Sequence, residues 1–485
     1  MKNEHEHYKE LRKKFPEFIY KDVQVEDTGD VLHLTFDFEI PGLSAFAPEW
    51  FIPKKDKSAD LCEAYRTNIT LRKMIFSLGM IELVSYYKIA CPPKVVIDVP
   101  GAEGLIDEAA LSWWKEQYFY GLGEFFYTNS IPLDKEGFMN IEFGSHAAVD
   151  ECGKNTENSG TPVDVYHFNG ISKESRNFMI PVGGGKDSAV SLELLRDYKN
   201  DSYCYMINGR GATFATAKAA GYSDDRVIVA KRTLDKRMLE LNKEGYLNGH
   251  TPFSAMAAFS CILTGYLYGL NFVALSNESS ANESTVAGSS VNHQYSKSFK
   301  FEEDFTEYER KYIGSGVLYF SLLRPWSEYQ IAMEFAKHPQ YHEIFRSCNV
   351  GSKEDKWCGH CAKCLFVFII LSPFIGIKRL TEIFGVDMLE DPDMWPLLQE
   401  LTGVVEQKPF ECVGSRSEVN LAVCQTISGL LERGEEIPLI FKNYMDAGLY
   451  TPYDPKKNPY LTFFEKKNNV PDFLIERLMT EGTER

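Results

Sequence analysis

The sequence predicts an α/β protein built on a doubly wound parallel sheet, with an α+β region before it and a mainly helical region after it. Three observations carry that reading. From Arg176 onward short apolar runs alternate with amphipathic ones, a glycine triplet sits at the first junction between the two, and the last third of the chain loses the strand pattern and gathers cysteines. NFMIPV, SYCYMIN, RVIVA and NFVALSN read as strands; DSAVSLELLRDY, ATFATAKAAG, LDKRMLELNKE and the stretch from Ser254 to Gly269 read as the helices between them. Short apolar strands separated by amphipathic helices imply parallel pairing through right-handed crossovers. Ligands of such sheets bind beyond the carboxyl ends of the strands, which here are Val182, Asn208 and Asn277.

The first 170 residues form the α+β region and are a candidate substrate-binding domain. VLHLTFDFEI and VVIDVP alternate as strands do, and Leu71 to Tyr87 and Leu111 to Phe126 read as helices. ECGKNTENSG, from Cys152, has the composition of a linker. The sheet domain then covers residues 171–325, and residues 326–485 form the helical region. Inside the latter, the apolar run Leu365 to Ile377 is too short for a bilayer and carries Pro373, so it reads as a buried helix or strand pair.

Charge and cysteine usage narrow the function class. The chain has 485 residues and a formal net charge of -17, which disfavours a general nucleic-acid or membrane-surface binder, since both partners need a cationic field. The start, MKNEHEHYKELRKKF, is charged throughout and does not resemble a secretory signal. Eleven cysteines in that context suggest reduced thiols in the cytoplasm. The composition leaves the oligomeric state open.

The junction at 180–195, IPVGGGKDSAVSLELL, is the strongest chemical signal. Gly183, Gly184 and Gly185 stand between a strand and a helix, where backbone N–H groups can converge on an anion at the positive helix end. Lys186 can offset phosphate charge, Ser188 can donate a hydroxyl, and Asp187 can hold Mg²⁺ against phosphate oxygens. Asn208 ends the next strand and belongs to the same nucleotide-binding set. A Walker A loop is excluded because Asp187 follows the lysine, and a dinucleotide fingerprint because the third glycine is misplaced. An ordinary helix start capped by Asp and Ser is the bland alternative.

CNVGSKEDKWCGHCAKC places Cys348, Cys358, Cys361 and Cys364 where four thiolates can surround one structural Zn²⁺. An iron–sulfur cluster and unligated thiols are the alternatives. The seven other cysteines, Cys412 among them, are dispersed and read as core residues.

Between these motifs lies ESSANESTVAGSSVNHQYSKSFKFEED, a polar stretch starting at a strand's carboxyl end. Glu278, Glu283, His293 and Lys297 are its candidate acids and bases, and Lys297 can also bind an anion. Arg324, before a proline and a helix start at Ser327, is a candidate clamp for a carboxylate or phosphate, or else a surface arginine. In KPFECVGSRSE, Lys408 is a third candidate substrate cation within what is equally readable as a turn.

The glycine loop resembles the SGGxDS pyrophosphate loop of the N-type ATP pyrophosphatases, with Gly183 where serine usually stands. A similar four-cysteine zinc knuckle follows that loop's domain in the 7-cyano-7-deazaguanine synthases. Taken together, VGGGKDSAV, GHTPFSAMAA, SNESSANE, VNHQYSKSFKFE, RPWSEYQIA, WCGHCAKC and KPFECVGS resemble the MurL family, ATP-dependent epimerases of the terminal glutamate of UDP-N-acetylmuramoyl-L-alanyl-L-glutamate. That resemblance implies ATP, Mg²⁺ and structural Zn²⁺, a small UDP-sugar peptide as substrate, adenylation of a carboxylate, and release of AMP and pyrophosphate in peptidoglycan precursor synthesis. Other adenylating ligases or amidating enzymes with this loop, and a non-catalytic nucleotide-binding protein, remain alternative readings.

Overall fold

A computed structural model describes residues 4–148, 175–282, 292–352, 354–406 and 408–482. The linker expected at Cys152 and the candidate Glu283 lie outside those residues. Eleven strands are described: β1 (Glu17–Asp27), β2 (Val31–Ile40), β3 (Ser44–Phe46), β4 (Glu49–Pro53), β5 (Lys94–Ile97), β6 (Asn140–Phe143), β7 (Phe178–Pro181), β8 (Tyr203–Ile207), β9 (Val227–Thr233), β10 (Phe272–Leu275) and β11 (Leu318–Ser321). The chain divides into two compact units. The first holds residues 1–179, 228–273 and 300–319, and the second residues 180–227, 274–299 and 320–485.

In the first unit the strands run in the order β9-β4-β2-β1-β5-β6, with β3 also on β2. β2 shows why the pairing register holds: Leu32, Leu34, Phe36, Phe38 and Ile40 alternate into the core, and a one-residue slip would send all five to the other face. β1 lies antiparallel to β2, from Ile19 opposite Glu39 to Asp27 opposite Leu32, and parallel to β5. RVIVA does form a strand, β9, but its partner β4 is antiparallel to it, which departs from an all-parallel arrangement. The helix Ile69–Tyr87 is buried over most of its length, as the absence of a polar stripe from its sequence requires. The second expected helix is two, Glu108–Gly121 and Gly123–Thr128, because the chain leaves helical geometry at Leu122 between two glycines.

In the second unit β7, β10 and β11 end, at Pro181, Leu275 and Ser321, and β8 lies wholly within it. These strands follow the order β11-β10-β7-β8, and β10 is parallel to β7, as expected from the alternating pattern. The expected helices form at Lys186–Leu194 and Gly211–Ala219. Beyond β11 the unit is helical. Its buried centre is the helix Ala362–Ile375, which holds Pro373 in its last turn and packs against Arg416–Arg433. No helix among the described residues is long and apolar enough to cross a membrane.

Candidate active site

All described candidate residues fall in the second unit, and most sit just beyond the carboxyl ends of its strands. After β7 the chain turns through Val182, Gly183 and Gly184 and enters the helix Lys186–Leu194 with Gly185 as its N-cap. Gly184 has φ +80°, and a Cβ there would sit 3.0 Å from Ala212 Cβ and 3.1 Å from the Thr213 nitrogen. Glycine is therefore required at this position for both conformation and space. Gly183 differs, because a Cβ on it would meet nothing within 4 Å. The backbone N–H of Arg346 donates to the Gly184 carbonyl at 2.7 Å, and Ser188 Oγ donates to the Gly185 carbonyl at 3.0 Å, so the loop is held in place from both sides. Asn208 lies past β8 with φ +51°, a left-handed conformation that asparagine tolerates.

Lys186 does not reach into solvent. Its buried ammonium donates to Asp187 and to Glu328, the first residue of the helix Glu328–Ala336. Glu278, following β10, completes a group in which Asp187, Glu278 and Glu328 place one carboxylate oxygen each within 4.8 Å of one another. Burial and the neighbouring carboxylates push the Glu328 carboxyl up to about 8, against the opposing pull of Lys186. Asp187 moves the other way: despite burial, Lys186 and Lys363 hold its carboxyl below the usual range. Burial keeps Glu328 raised even with these lysines within reach, and a divalent cation bound by the three acids' oxygens would favour their charged forms. This donor set fits Mg²⁺.

Arg324 is fully buried, and its guanidinium donates to the backbone carbonyls of Glu278 and Lys297 and to Ser321 Oγ at 3.4 Å. It thus braces the segments carrying two of the candidates. Lys297 Nζ approaches Cys412 Sγ at 3.2 Å, and the His293 ring also hydrogen-bonds that thiol. The Cys412 thiolate, followed by Glu278, raises the Lys297 ammonium above its ordinary range. The Cys412 loop is tied down by Lys363, whose N–H donates to Glu411 Oε2 at 2.9 Å and whose ammonium donates to the Cys412 carbonyl. Burial and the nearby Cys361 push Glu411 up to about 7. Lys408, earlier in the same loop, is buried.

Cys348, Cys358, Cys361 and Cys364 converge with all four Sγ atoms within 4.8 Å of one another. Cys358 and Cys364 are 3.7 Å apart, close to the edge of about 3.8 Å of a zinc–thiolate tetrahedron with bonds near 2.3 Å. Backbone N–H groups of Gly351 and Cys364 donate to Cys348 and Cys361 Sγ at 3.1 and 3.4 Å, as groups behind metal thiolates commonly do. The hydrogen bond with the Cys364 thiol is foremost in holding the Cys361 thiol down to about 5. The arrangement fits Zn²⁺.

Three residues of this site were not singled out from the sequence: Glu328, Cys412 and Lys363, the last standing between two of the clustered cysteines. Glu328 stands in the quoted SEYQIA, where an acid after an N-cap reads as an ordinary helix start. Cys412 read as core, and only its neighbours in KPFECVGS carried a polar signal.

Fold and site together define an α/β protein with a glycine loop at a helix start, three converging carboxylates beside it and four converging cysteines in the same unit. Family models identify the kind more closely: the MurL N-terminal domain matches residues 9–322 and the MurL C-terminal domain residues 344–436. The chain belongs to the MurL family. Similar curated proteins are named UDP-N-acetyl-alpha-D-muramoyl-L-alanyl-L-glutamate epimerase. That of Xanthomonas oryzae pv. oryzae is 32% identical over 409 residues, covering 83% of this chain and 84% of its own. That of Salinispora tropica is 33% identical over 407 residues, 80% and 83% of the two chains, and that of a Micromonospora strain 34% over 363 residues, 74% and 75%. No solved structure gives a significant match.

Proposed function

We propose that this protein inverts the terminal L-glutamate of UDP-N-acetylmuramoyl-L-alanyl-L-glutamate to D-glutamate at the expense of ATP, in the cytoplasm, during peptidoglycan precursor synthesis. The relatives' names supply the substrate. One observation in this chain carries the ATP requirement: the Lys186–Asp187 junction of the glycine loop meets Glu278 and Glu328 at the strand ends. The fold this implies is the doubly wound sheet of the N-type ATP pyrophosphatases.

The need for ATP follows from the reaction. Removing the α-proton beside an ionised carboxylate places a carbanion next to existing negative charge. An oxygen of that α-carboxylate attacks the α-phosphorus of ATP; the new P–O bond forms, the bond to the β-phosphate bridge breaks, and pyrophosphate leaves. The glutamyl carbonyl, now in a mixed anhydride with AMP whose remaining charge sits on the phosphate, can accept the electron pair of the Cα–H bond. After a proton returns to the opposite face, water cleaves the anhydride and releases AMP. The N–H groups of the glycine loop, at the start of the helix Lys186–Leu194, stabilise the charge on the departing pyrophosphate. Mg²⁺ held by Asp187, Glu278 and Glu328 would neutralise phosphate oxygens. Asn208 borders the nucleotide, Lys297 and Lys408 supply positive charge for the substrate, and Arg324 fixes the backbone that presents Glu278 and Lys297. Zn²⁺ in the four-cysteine centre would order the helical region.

The test is to supply purified protein with ATP, Mg²⁺ and the L-glutamyl substrate, then hydrolyse the product and separate its glutamate enantiomers. D-glutamate appearing with AMP and pyrophosphate supports the reading; AMP and pyrophosphate with L-glutamate alone would leave an adenylating enzyme of another kind.

A further inference from the structure

Among the described residues, Cys412 stands apart from three buried thiols. Cys91, Cys204 and Cys261 are fully buried, and burial pushes each well above the ordinary thiol range. Cys412 is half-buried, and burial alone would raise it. Yet Lys297, with help from His293 and Lys363, holds it down to about 6. A lysine ammonium at 3.2 Å and an imidazole hydrogen bond on one sulfur maintain a thiolate at neutral pH, the form in which cysteine acts as a base or nucleophile.

The position of this sulfur is constrained on both sides. On its own loop, Lys363 holds the Glu411 carboxylate and the Cys412 carbonyl, and Ser415 starts the next helix with a reciprocal cap to Glu418. Opposite, Arg324 grips the Lys297 carbonyl, and the Lys297 N–H donates to the Gln294 carbonyl at 2.7 Å. Lys297 also lies within electrostatic reach of Glu278 and Asp187. Through Lys297 the Cys412 sulfur is therefore linked to the carboxylates beside the glycine loop.

We propose that Cys412 is a proton-transfer residue of the epimerisation, acting on one face of the α-carbon of the adenylated glutamate. The inference rests on the function proposed above. In the direction in which Cys412 is the base, its Sγ takes the α-proton and becomes a thiol, while the Cα–H electron pair moves into the anhydride carbonyl. A group on the opposite face then supplies a proton to the α-carbon. In the reverse direction the Cys412 thiol returns its proton and the thiolate is restored. Lys297 and His293 are positioning residues. The ammonium is held protonated by its neighbours, so it stabilises the thiolate rather than competing with it as a base.

The experiment compares wild type, Cys412→Ala and Cys412→Ser in D₂O with ATP, Mg²⁺ and the L-glutamyl substrate, reading pyrophosphate release, glutamate chirality and α-deuterium separately. Cys412→Ala should release pyrophosphate within about tenfold of wild type while inversion falls at least about 100-fold, and Cys412→Ser should lose inversion similarly, as removal of a proton-transfer group predicts. Inversion within about threefold of wild type in either variant overturns the proposal. So does equal loss of pyrophosphate release and inversion, which would mark Cys412 as structural. If wild type itself releases no pyrophosphate, the adenylation reading fails instead. A measurement without substitution at Cys412 stands beside these: peptide-resolved alkylation by iodoacetamide. Its rate at Cys412 should rise through about pH 6 in wild type and move toward the ordinary thiol range, about 8.5, in Lys297→Met. A wild-type midpoint above about 8, or no alkylation in a chain that still turns over, removes the thiolate and the proposal with it.

Discussion

Glu82 in the first unit and Glu328 in the second are both buried glutamates beside a cation, and their surroundings differ in a way that separates stability from chemistry. Glu82 accepts from Arg232 through both oxygens, at 2.8 and 2.6 Å, and from Trp50 Nε1 at 3.0 Å. One acid meets one guanidinium, and each oxygen has a donor. Around Glu328 the ratio is reversed: Lys186 is divided between two carboxylates, and Glu278 is a third within reach. The first cluster is electrostatically closed, and nothing further is needed to satisfy it. The second shares one hydrogen-bonded ammonium between crowded acids, and burial with the neighbouring carboxylates raises Glu328 toward neutrality, which is how it differs from a structural ion pair.

Substitution should separate the two clusters, and the largest effect belongs to the closed one. Glu82→Ala leaves a buried guanidinium and an indole N–H without their acceptor, and should lower unfolding free energy by about 3–5 kcal/mol in urea titration, with turnover per folded molecule retained. Asp187→Ala should do the reverse. Pyrophosphate release should fall about 100- to 1,000-fold, while the urea midpoint falls by less than in Glu82→Ala, since Lys186 keeps Glu328 as its partner. An Asp187→Ala chain that unfolds as readily as Glu82→Ala would place both clusters in the same structural class. Next in size, Cys361→Ser should reduce bound zinc from about one per chain to less than half, read by metal analysis; unchanged content would refute a four-thiolate centre. The smallest effect is expected at Gly183. Because a side chain there enters open space and φ is not left-handed, Gly183→Ser should keep turnover within about threefold, whereas Gly184→Ala should disrupt the loop against Ala212 and Thr213.

Local signals made much of this legible from the sequence alone. A strand, three glycines, Asp-Ser and a helix occur in chain order, so the loop at 183–188 needed no tertiary information, and the thiolates of 358–364 are close because they are close in sequence. What stayed hidden depends on contacts across long separations. Lys186 meets Glu328 142 residues away, and a glutamate just inside a helix start ordinarily signals only a favourable dipole contact. Cys412 meets Lys297 across 115 residues, and a cysteine between Glu and Val carries no local mark of ionisation. Arg324 illustrates the opposite error of inference: a guanidinium before a proline looks available, but the fold turns it onto two backbone carbonyls. The antiparallel pairing of β9 with β4 was likewise invisible, because RVIVA has the same apolar pattern in either orientation.

The central claim is that proton exchange at the glutamate α-carbon depends on prior transfer of AMP to its carboxylate. Protein and the L-glutamyl substrate in D₂O, with Mg²⁺ and either ATP, no nucleotide, or an ATP analogue whose α–β bridge cannot be cleaved, test it most directly by mass spectrometry of the recovered glutamate. The account predicts α-deuterium and D-glutamate with ATP alone. Deuterium incorporation without nucleotide, or with the uncleavable analogue, would contradict it.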